Sequence, residues 1–412
     1  MPVYLIGTLD TKGTETGYLR DLLTELGVET RIVDAGCLGE PSLKAEITRE
    51  EIFQAAGLSL AEMRQRADRG LAVTQAAIGV AKRIAEDHAR GEVLGVIGLG
   101  GSAGTTIGTA AMRVLPLGVP KLMVSTLASG QTRPYVGSKD ILMMNAVVDI
   151  SGLNRISRTI LGNAARAMAG MVLNRRAIPI ETPREDRPLI AATMFGVTTP
   201  CVERARQVLE QAGYEVVVFH ATGVGGEAME SLIADGMFAG VLDITTTELA
   251  DELVGGTLSA GPDRLTAAGR RGIPQVISVG ALDMVNFGPS NTVPEKFKGR
   301  KFYKHNATVT LMRTTVAENH QLGEEIGRKA SAATGPTAIL LPLLGVSAID
   351  RSGQPFDDSE ARETLFQAIR STHGTVELIE CANHINDPHF AEVAAETLLG
   401  LLRLKTVAIK AE

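Results

Sequence analysis

The residues best equipped for chemistry fall into two short stretches. Gly98-Leu99-Gly100-Gly101-Ser102-Ala103-Gly104-Thr105-Thr106 follows an apolar run at residues 93–97 and precedes a helix-period segment at 107–115. That order of strand, glycine turn and helix suits an anion. Glycines let backbone N–H groups approach a phosphate closely, and a helix N-terminus adds unpaired donors and partial positive charge. The hydroxyls of Ser102, Thr105 and Thr106 would add further donors. The second stretch, Gly7-Thr8-Leu9-Asp10-Thr11-Lys12-Gly13-Thr14-Glu15, also follows an apolar run. Ligands of open parallel sheets collect at the carboxyl ends of strands, so both loops are expected to face one crevice. There Lys12 would neutralise phosphate, and Asp10 or Glu15 would hold magnesium through water. The simpler alternative is that Asp10 and Thr11 cap the first helix.

The glycine turn admits other readings. Gly98, Gly100 and Ala103 satisfy a dinucleotide fingerprint, yet residues 118–121, about 20 positions on, include no acid for a ribose. Gly100-Gly101-Ser102-Ala103-Gly104 is also literally G-x-S-x-G, the nucleophile elbow of serine hydrolases. Asp350 or Asp387 with His384 would then complete the triad, leaving three glycines and two threonines without a role. A phosphate cradle uses them all, and a packing turn with no ligand uses none for binding. No Lys-Ser/Thr pair closes the turn, so it is not a P-loop. A further patch, Ser129-Gly130-Gln131 through Lys139-Asp140, is expected to reach the same crevice, with Asp140 and Asp149 as metal or ribose contacts.

In the second half, His220-Ala221-Thr222-Gly223-Val224-Gly225-Gly226-Glu227 again joins an apolar run to a helical one and would take a second anion by the same means. With Thr193, Gly196 and Thr198 at a neighbouring strand end, and Arg313 suited to a carboxylate, a small acidic metabolite is expected near Thr193, Gly196, Gly223, Gly225 and Arg313. A plain glycine turn and an interface arginine are the alternatives. His384-Ile385-Asn386-Asp387-Pro388-His389 invites a metal reading, but Asp387-Pro388 has the form of a helix start.

Short apolar runs alternating with helix-period segments along the whole chain imply an α/β protein with parallel sheets flanked by helices. Strands are expected at residues 3–8, 30–34, 93–99 and 121–125, then 189–193, 216–219, 240–243, 275–279, 338–344 and 376–379. The length of 412 residues exceeds what one core serves. The charged, proline-bearing segment 180–188 marks the joint, giving a nucleotide-binding Rossmann-like domain at 1–183 and a second Rossmann-like domain at 184–412. Hydrophobic residues at 44% and charged residues at 21% describe an ordinary globular chain. A net charge of -6 and aromatics at 4% argue against nucleic acid as a partner. The absence of a leader-like terminus or a long apolar run argues against a membrane and for the cytoplasm. Cys37, Cys201 and Cys381 are odd in number and widely spaced, as reduced thiols would be.

Taken with Asp149-Ile150-Ser151-Gly152 and Leu341-Pro342-Leu343-Leu344-Gly345-Val346-Ser347, the two loops give the sequence a specific resemblance. It resembles, over essentially its full length, the Tm-one-like ATP-binding family: the amino-terminal region of a tomato mosaic virus resistance protein and bacterial proteins of unassigned function. The resemblance implies two Rossmann-like subdomains, ATP with Mg2+ bound in the first, and a homodimer. Its nucleotide loops fall on Thr8, Asp10, Thr11 and Lys12 and on Gly100, Gly101, Ser102, Gly104 and Thr105. It implies no known reaction. The plant protein continues into a further barrel domain, so an antiviral role is not expected to carry over. A nucleotide-using enzyme acting on a small metabolite between the domains, a serine hydrolase at Ser102, and a non-catalytic nucleotide-dependent regulatory module remain the functional expectations.

Overall fold

The computed structural model describes residues 1–173 and 187–411. They form two compact units, residues 1–184 and 185–412; most of the joint expected at 180–188 lies outside the described residues.

The first unit is built on five parallel strands: β1 (Val3–Gly7), β2 (Thr30–Asp34), β3 (Gly95–Gly100), β4 (Lys121–Ser125) and β5 (Leu142–Asn145), in the order β2-β1-β3-β4-β5. β1 and β3 are buried throughout, because helices cover both faces of the sheet, and this is why their sequences are continuous apolar runs. The chain winds from β1 to β2 on one side and returns to β3 on the other. That reversal opens a crevice at the carboxyl ends of β1 and β3.

Two glycines let a helix approach the sheet closely. A Cβ on Gly98 would meet Met123 Sδ at 2.9 Å, and one on Gly108, in the helix Ser102–Arg113, would meet the same sulfur at 2.8 Å. Gly98 is therefore a packing residue. The helix Leu9–Glu25 ends where Gly27 takes φ +80°, the left-handed conformation that glycine adopts at no steric cost. Between β2 and β3 the helices Arg49–Ala55 and Leu60–Arg66 each start with a reciprocal capping box, Thr48 with Glu51 and Ser59 with Glu62. The longer helix Arg69–Ala89 follows, with Asp68 accepting from the Leu71 amide.

The second unit carries six parallel strands, β6 (Leu189–Met194), β7 (Glu215–His220), β8 (Gly240–Thr245), β9 (Gln275–Gly280), β13 (Thr337–Pro342) and β14 (Glu377–Cys381), in the order β14-β13-β9-β8-β6-β7. The intervening strands β10 (Met284–Phe287), β11 (Phe302–Lys304) and β12 (Thr310–Arg313) form a small antiparallel sheet, β10-β12-β11. The sequence expectation contained no such sheet. Thr198 is the N-cap of the helix Thr199–Gln211. Among the described residues, no helix is long and apolar enough to cross a membrane.

Candidate functional site

A cleft of about 280 Å³ opens where the order of the first sheet reverses. The loop after β1 supplies Thr8, Asp10, Thr11 and Lys12, and the loop after β3 supplies Gly100 to Gly104. The two predicted loops thus meet in one crevice.

The backbone of the glycine turn is open to a ligand. Gly101 is the N-cap of the helix Ser102–Arg113 and offers no capping side chain; the first helical bond runs from the Thr105 amide to the Gly101 carbonyl at 2.8 Å. Among the described residues no acceptor is found for the amides of Gly101, Ser102, Ala103 and Gly104. Such orphan donors need a partner from outside the helix. Glycine is required here sterically. A Cβ on Gly100 would meet Gly104 Cα at 2.8 Å, and one on Gly104 would meet the Leu99 carbonyl at 2.9 Å. At Gly101 the nearest atom is Thr126 Oγ1 at 3.6 Å, so a side chain would fit there and intrude on the cleft.

Two cations face this turn. Lys12 lies at a break in its helix (φ -128°, ψ 17°), where the amides of Thr11 and Lys12 both donate to the Thr8 carbonyl, at 3.0 and 2.7 Å. The Thr16 hydroxyl donates to the Lys12 carbonyl at 2.7 Å. Arg69 begins the helix Arg69–Ala89. Among the described residues neither the Lys12 ammonium nor the Arg69 guanidinium has an ion-pair or hydrogen-bond partner, and both line the cleft. Sequence reasoning missed Arg69. The signal available was Asp68, a helix N-cap residue directly before it.

The acids divide into three roles. Asp10 lines the cleft, but its Oδ2 accepts from the amides of Leu38 and Gly39 at 2.9 and 3.1 Å, so it also holds the loop after β2. It caps that loop and not its own helix, whose N-cap is Thr8. Glu15 is 2% exposed, lies away from the cleft and accepts from the Gly152 amide at 2.6 Å. Asp149, exposed, lies on the cleft wall. Among the described residues no three His, Cys, Asp or Glu side chains gather as a metal site.

Several other expected contacts are placed elsewhere. The Thr105 hydroxyl turns inward, donating to the Gly101 carbonyl and pairing with Ser125 Oγ, both at 2.7 Å. Gly130 lies outside the cleft, its amide donating to the Leu127 carbonyl at 3.0 Å. Asp140 receives Lys121 Nζ at 2.6 Å and the Gly118 amide at 2.9 Å, a structural brace.

Beneath the cleft sits a buried pair that sequence reasoning also missed. Asp34 Oδ1 accepts from the amides of Leu9 and Gly36 at 3.1 and 2.9 Å, while its Oδ2 pairs with Arg49 Nε at 2.9 Å. Burial pushes the Asp34 carboxyl up, and those two amides and Arg49 pull it back. This pair fixes the starts of two cleft loops together. Gly36 follows because a Cβ there would meet Asp10 Oδ1 at 2.6 Å. Ala35, Leu38, Ala72, Val73 and Ile107 give the cleft an apolar wall, on which Leu38 is 66% exposed. Burial also raises the Cys37 thiol at this wall, with Asp10 adding to the effect.

The second glycine turn is filled from within. Glu248 Oε1 accepts from the amides of Gly223 and Gly226 at 2.7 and 3.1 Å, and Arg264, fully buried, pairs with Glu248, Asp243 and Glu230. Gly225 lies so close to the His220 carbonyl that a Cβ would meet it at 1.9 Å. Thr193 donates to Asp243 at 2.7 Å, and Arg313 is held by the Phe356 carbonyl at 2.8 Å and by Asp350 at 3.3 Å. Of the donors expected to meet an acidic metabolite, the Thr193 hydroxyl, the Gly223 amide and the Arg313 guanidinium are thus engaged by internal acceptors, while Gly196 lies in a 3-10 turn before the helix Thr199–Gln211.

Ser102 Oγ is exposed, and among the described residues it receives no hydrogen bond from an imidazole. His384 has both ring nitrogens engaged, Nε2 with the Ser347 carbonyl at 2.8 Å and Nδ1 with the Asn386 amide at 3.1 Å. Asp387 accepts from the His384 amide at 2.8 Å, directly before the helix Pro388–Ala411.

Residues 1–177 match the model of the Uncharacterised protein family (UPF0261) N-terminal domain, and residues 187–402 match that of its C-terminal domain. The chain belongs to the UPF0261 family. Among its relatives, a UPF0261 protein of Clostridium tetani is 49% identical over 97% of this chain and 98% of that protein. Another, of Mesorhizobium japonicum, is 46% identical over 96% and 98%. The ToMV resistance protein Tm-1(GCR237) of Solanum lycopersicum is 40% identical over 96% of this chain and 55% of its own length. The expected kinship with the tomato protein and bacterial relatives is thus found.

Proposed function

We propose that this UPF0261 protein binds a magnesium nucleotide, ATP in the first instance, in the cleft at the carboxyl ends of β1 and β3. The observation that carries the reading is the row of four amides, Gly101 to Gly104, and two cations at the same cleft, none of which has a partner among the described residues. Backbone donors at a helix N-terminus, supplemented by Lys12 and Arg69, suit a polyphosphate better than any neutral ligand. The apolar wall with exposed Leu38 supports the base and ribose as the uncharged end of the same ligand.

Magnesium fits the donor set through the phosphates. Mg2+ takes one or two carboxylates plus phosphate oxygens and waters and does not need an all-protein cage. Asp10 and Asp149 are the carboxylates at the cleft. The metal would neutralise phosphate charge there, while the chain's own amides orient the phosphates. The reading assigns binding and no reaction. The homodimer implied by the resemblance belongs to the same proposal, and sedimentation equilibrium tests it.

Calorimetric titration of the full chain with Mg-ATP tests the binding. Saturable binding is expected, weakened separately by Lys12→Ala and by Gly101→Asp, whose carboxylate would occupy the phosphate position. Equal affinity in both variants and the unaltered protein would remove the proposal.

A further inference from the structure

The small antiparallel sheet of the second unit carries a recess of about 380 Å³ that the nucleotide reading does not use. Its walls are apolar: Val293, Pro294, Phe297 and Phe302. Phe297 is 7% exposed and packs on Phe287 with ring centroids 5.3 Å apart, so this wall is rigid. Phe302 lies on the edge strand β11 and is 40% exposed, which leaves an aromatic surface uncovered beside the recess.

The polar groups are few and specific. Thr310, on the central strand β12, is 3% exposed, lines the recess, and has no hydrogen-bond partner for its Oγ1 among the described residues. Buried hydroxyls are nearly always paired, and one left alone costs the fold its desolvation. Lys298 and Lys304 stand on the rim without ion-pair partners among the described residues. Residues 295–304, Glu-Lys-Phe-Lys-Gly-Arg-Lys-Phe-Tyr-Lys, hold five cations and one acid. Of these, Arg300 is spent on Glu318 at 2.7 Å, and Lys296 lies over the Phe297 ring at 4.7 Å. The recess therefore has a positive rim. Glu295 is its one carboxylate.

We infer that this recess is a binding site for a small monocarboxylate with a flat apolar body. The ring of the ligand lies between Phe297 and Phe302, its carboxylate accepts from the Thr310 hydroxyl, and Lys298 and Lys304 neutralise it. Charge-assisted hydrogen bonds of this kind set orientation in an otherwise apolar pocket. Glu295 repels a second acidic group, so the site takes monoacids over diacids. The inference stands apart from the nucleotide cleft and shares no residue with it.

The experiment uses the full chain and four probes: 3-phenylpropionate, indole-3-acetate, 3-phenylpropanamide and phenylsuccinate. Binding is followed by NMR titration, with melting temperature recorded for each variant. The two monoacids are expected to bind saturably, and the amide and the diacid about tenfold more weakly, as loss of a charged hydrogen bond or an added repulsion requires. Thr310→Val is expected to weaken the monoacids about fivefold or more while melting no lower than the unaltered protein, because it removes an unpaired buried hydroxyl. The surface variant Lys298→Ala/Lys304→Ala, which does not touch the core, is expected to weaken them similarly. Equal binding of acid and amide, no saturable binding of either monoacid up to about 10 mM, or unchanged affinity in both variants overturns the inference.

Discussion

Glu248 Oε1 stands 2.7 Å from the Gly223 amide, where an exogenous anion would stand in the glycine turn of the first unit. The two turns share a strand-turn-helix plan, yet one is neutralised by its own carboxylate and the other is open. Composition alone does not separate them. What decides is whether a neighbouring element delivers an acid, as the helix Thr247–Val254 does here.

Removing that acid has a defined consequence. Glu248→Ala frees two buried amides while Asp243 and Glu230 still pair Arg264, so urea unfolding is expected to show a loss of about 1–3 kcal/mol. Inorganic phosphate should restore part of it by binding the folded variant. A phosphate effect no larger than in the unaltered protein would show that the amides do not take an anion once freed.

The brace beneath the cleft is expected to act on both stability and binding. Asp34→Ala leaves Arg49 buried without its carboxylate and is expected to cost about 3–5 kcal/mol. It should also weaken Mg-ATP, although Asp34 does not line the cleft, because Leu9 and Gly36 lose their common anchor. Asp34→Ala/Arg49→Ala should cost less than the sum of the single variants, as coupled pairs do. Strict additivity in urea titrations would contradict the brace.

Lys12 and Arg69 should contribute unequally with salt. Each alanine variant is expected to lower Mg-ATP affinity by about tenfold, the scale of one hydrogen bond to a charged group. Arg69, more exposed, should lose its share as ionic strength rises, because screening acts most on exposed charges. Calorimetry at two salt concentrations checks this; an Arg69→Ala penalty independent of salt would count against a direct charge contact.

A pH signature is expected from Asp251. Burial pushes its carboxyl up to about 7, and hydrogen bonds from Asn286 and Leu258 oppose the shift without cancelling it. Among the described residues Asn286 Oδ1 beside it has no partner, so a reversed Asn286 amide would accept a proton held on Asp251. The folded state keeps this proton between the ordinary aspartate value near 3.8 and about 7, while the unfolded chain releases it. Stability from this group is therefore fully present below that window and falls as pH rises through it. Asp251→Asn should gain on the unaltered protein in melting temperature from pH 5 to pH 8. A difference that stays constant with pH would refute the assignment.

Much of this architecture was legible because buried parallel strands write themselves as apolar runs. Residues 93–99 and 121–125 announced β3 and β4 on those grounds, and the meeting of the two loops followed from strand-end geometry. β5 and the sheet β10-β12-β11 were not legible: their strands hold three or four residues, too few for alternation to show its period. Glu15 read as a loop acid because it was grouped with the stretch that follows β1; a helix from Leu9 turns it inward to Gly152. Arg69 and the Gly36 to Leu38 loop were missed because they converge with β1 only through sheet order, which the local pattern does not encode.

The central claim rests on four backbone amides, and amide NMR reads them directly. In a titration of the 15N-labelled full chain with Mg-ATP, saturable downfield shifts are expected at Gly101, Ser102, Ala103 and Gly104, with Gly223 and Gly226 unmoved. Saturation of the protein by Mg-ATP while those four signals stay in place, or no binding at all, would contradict the account.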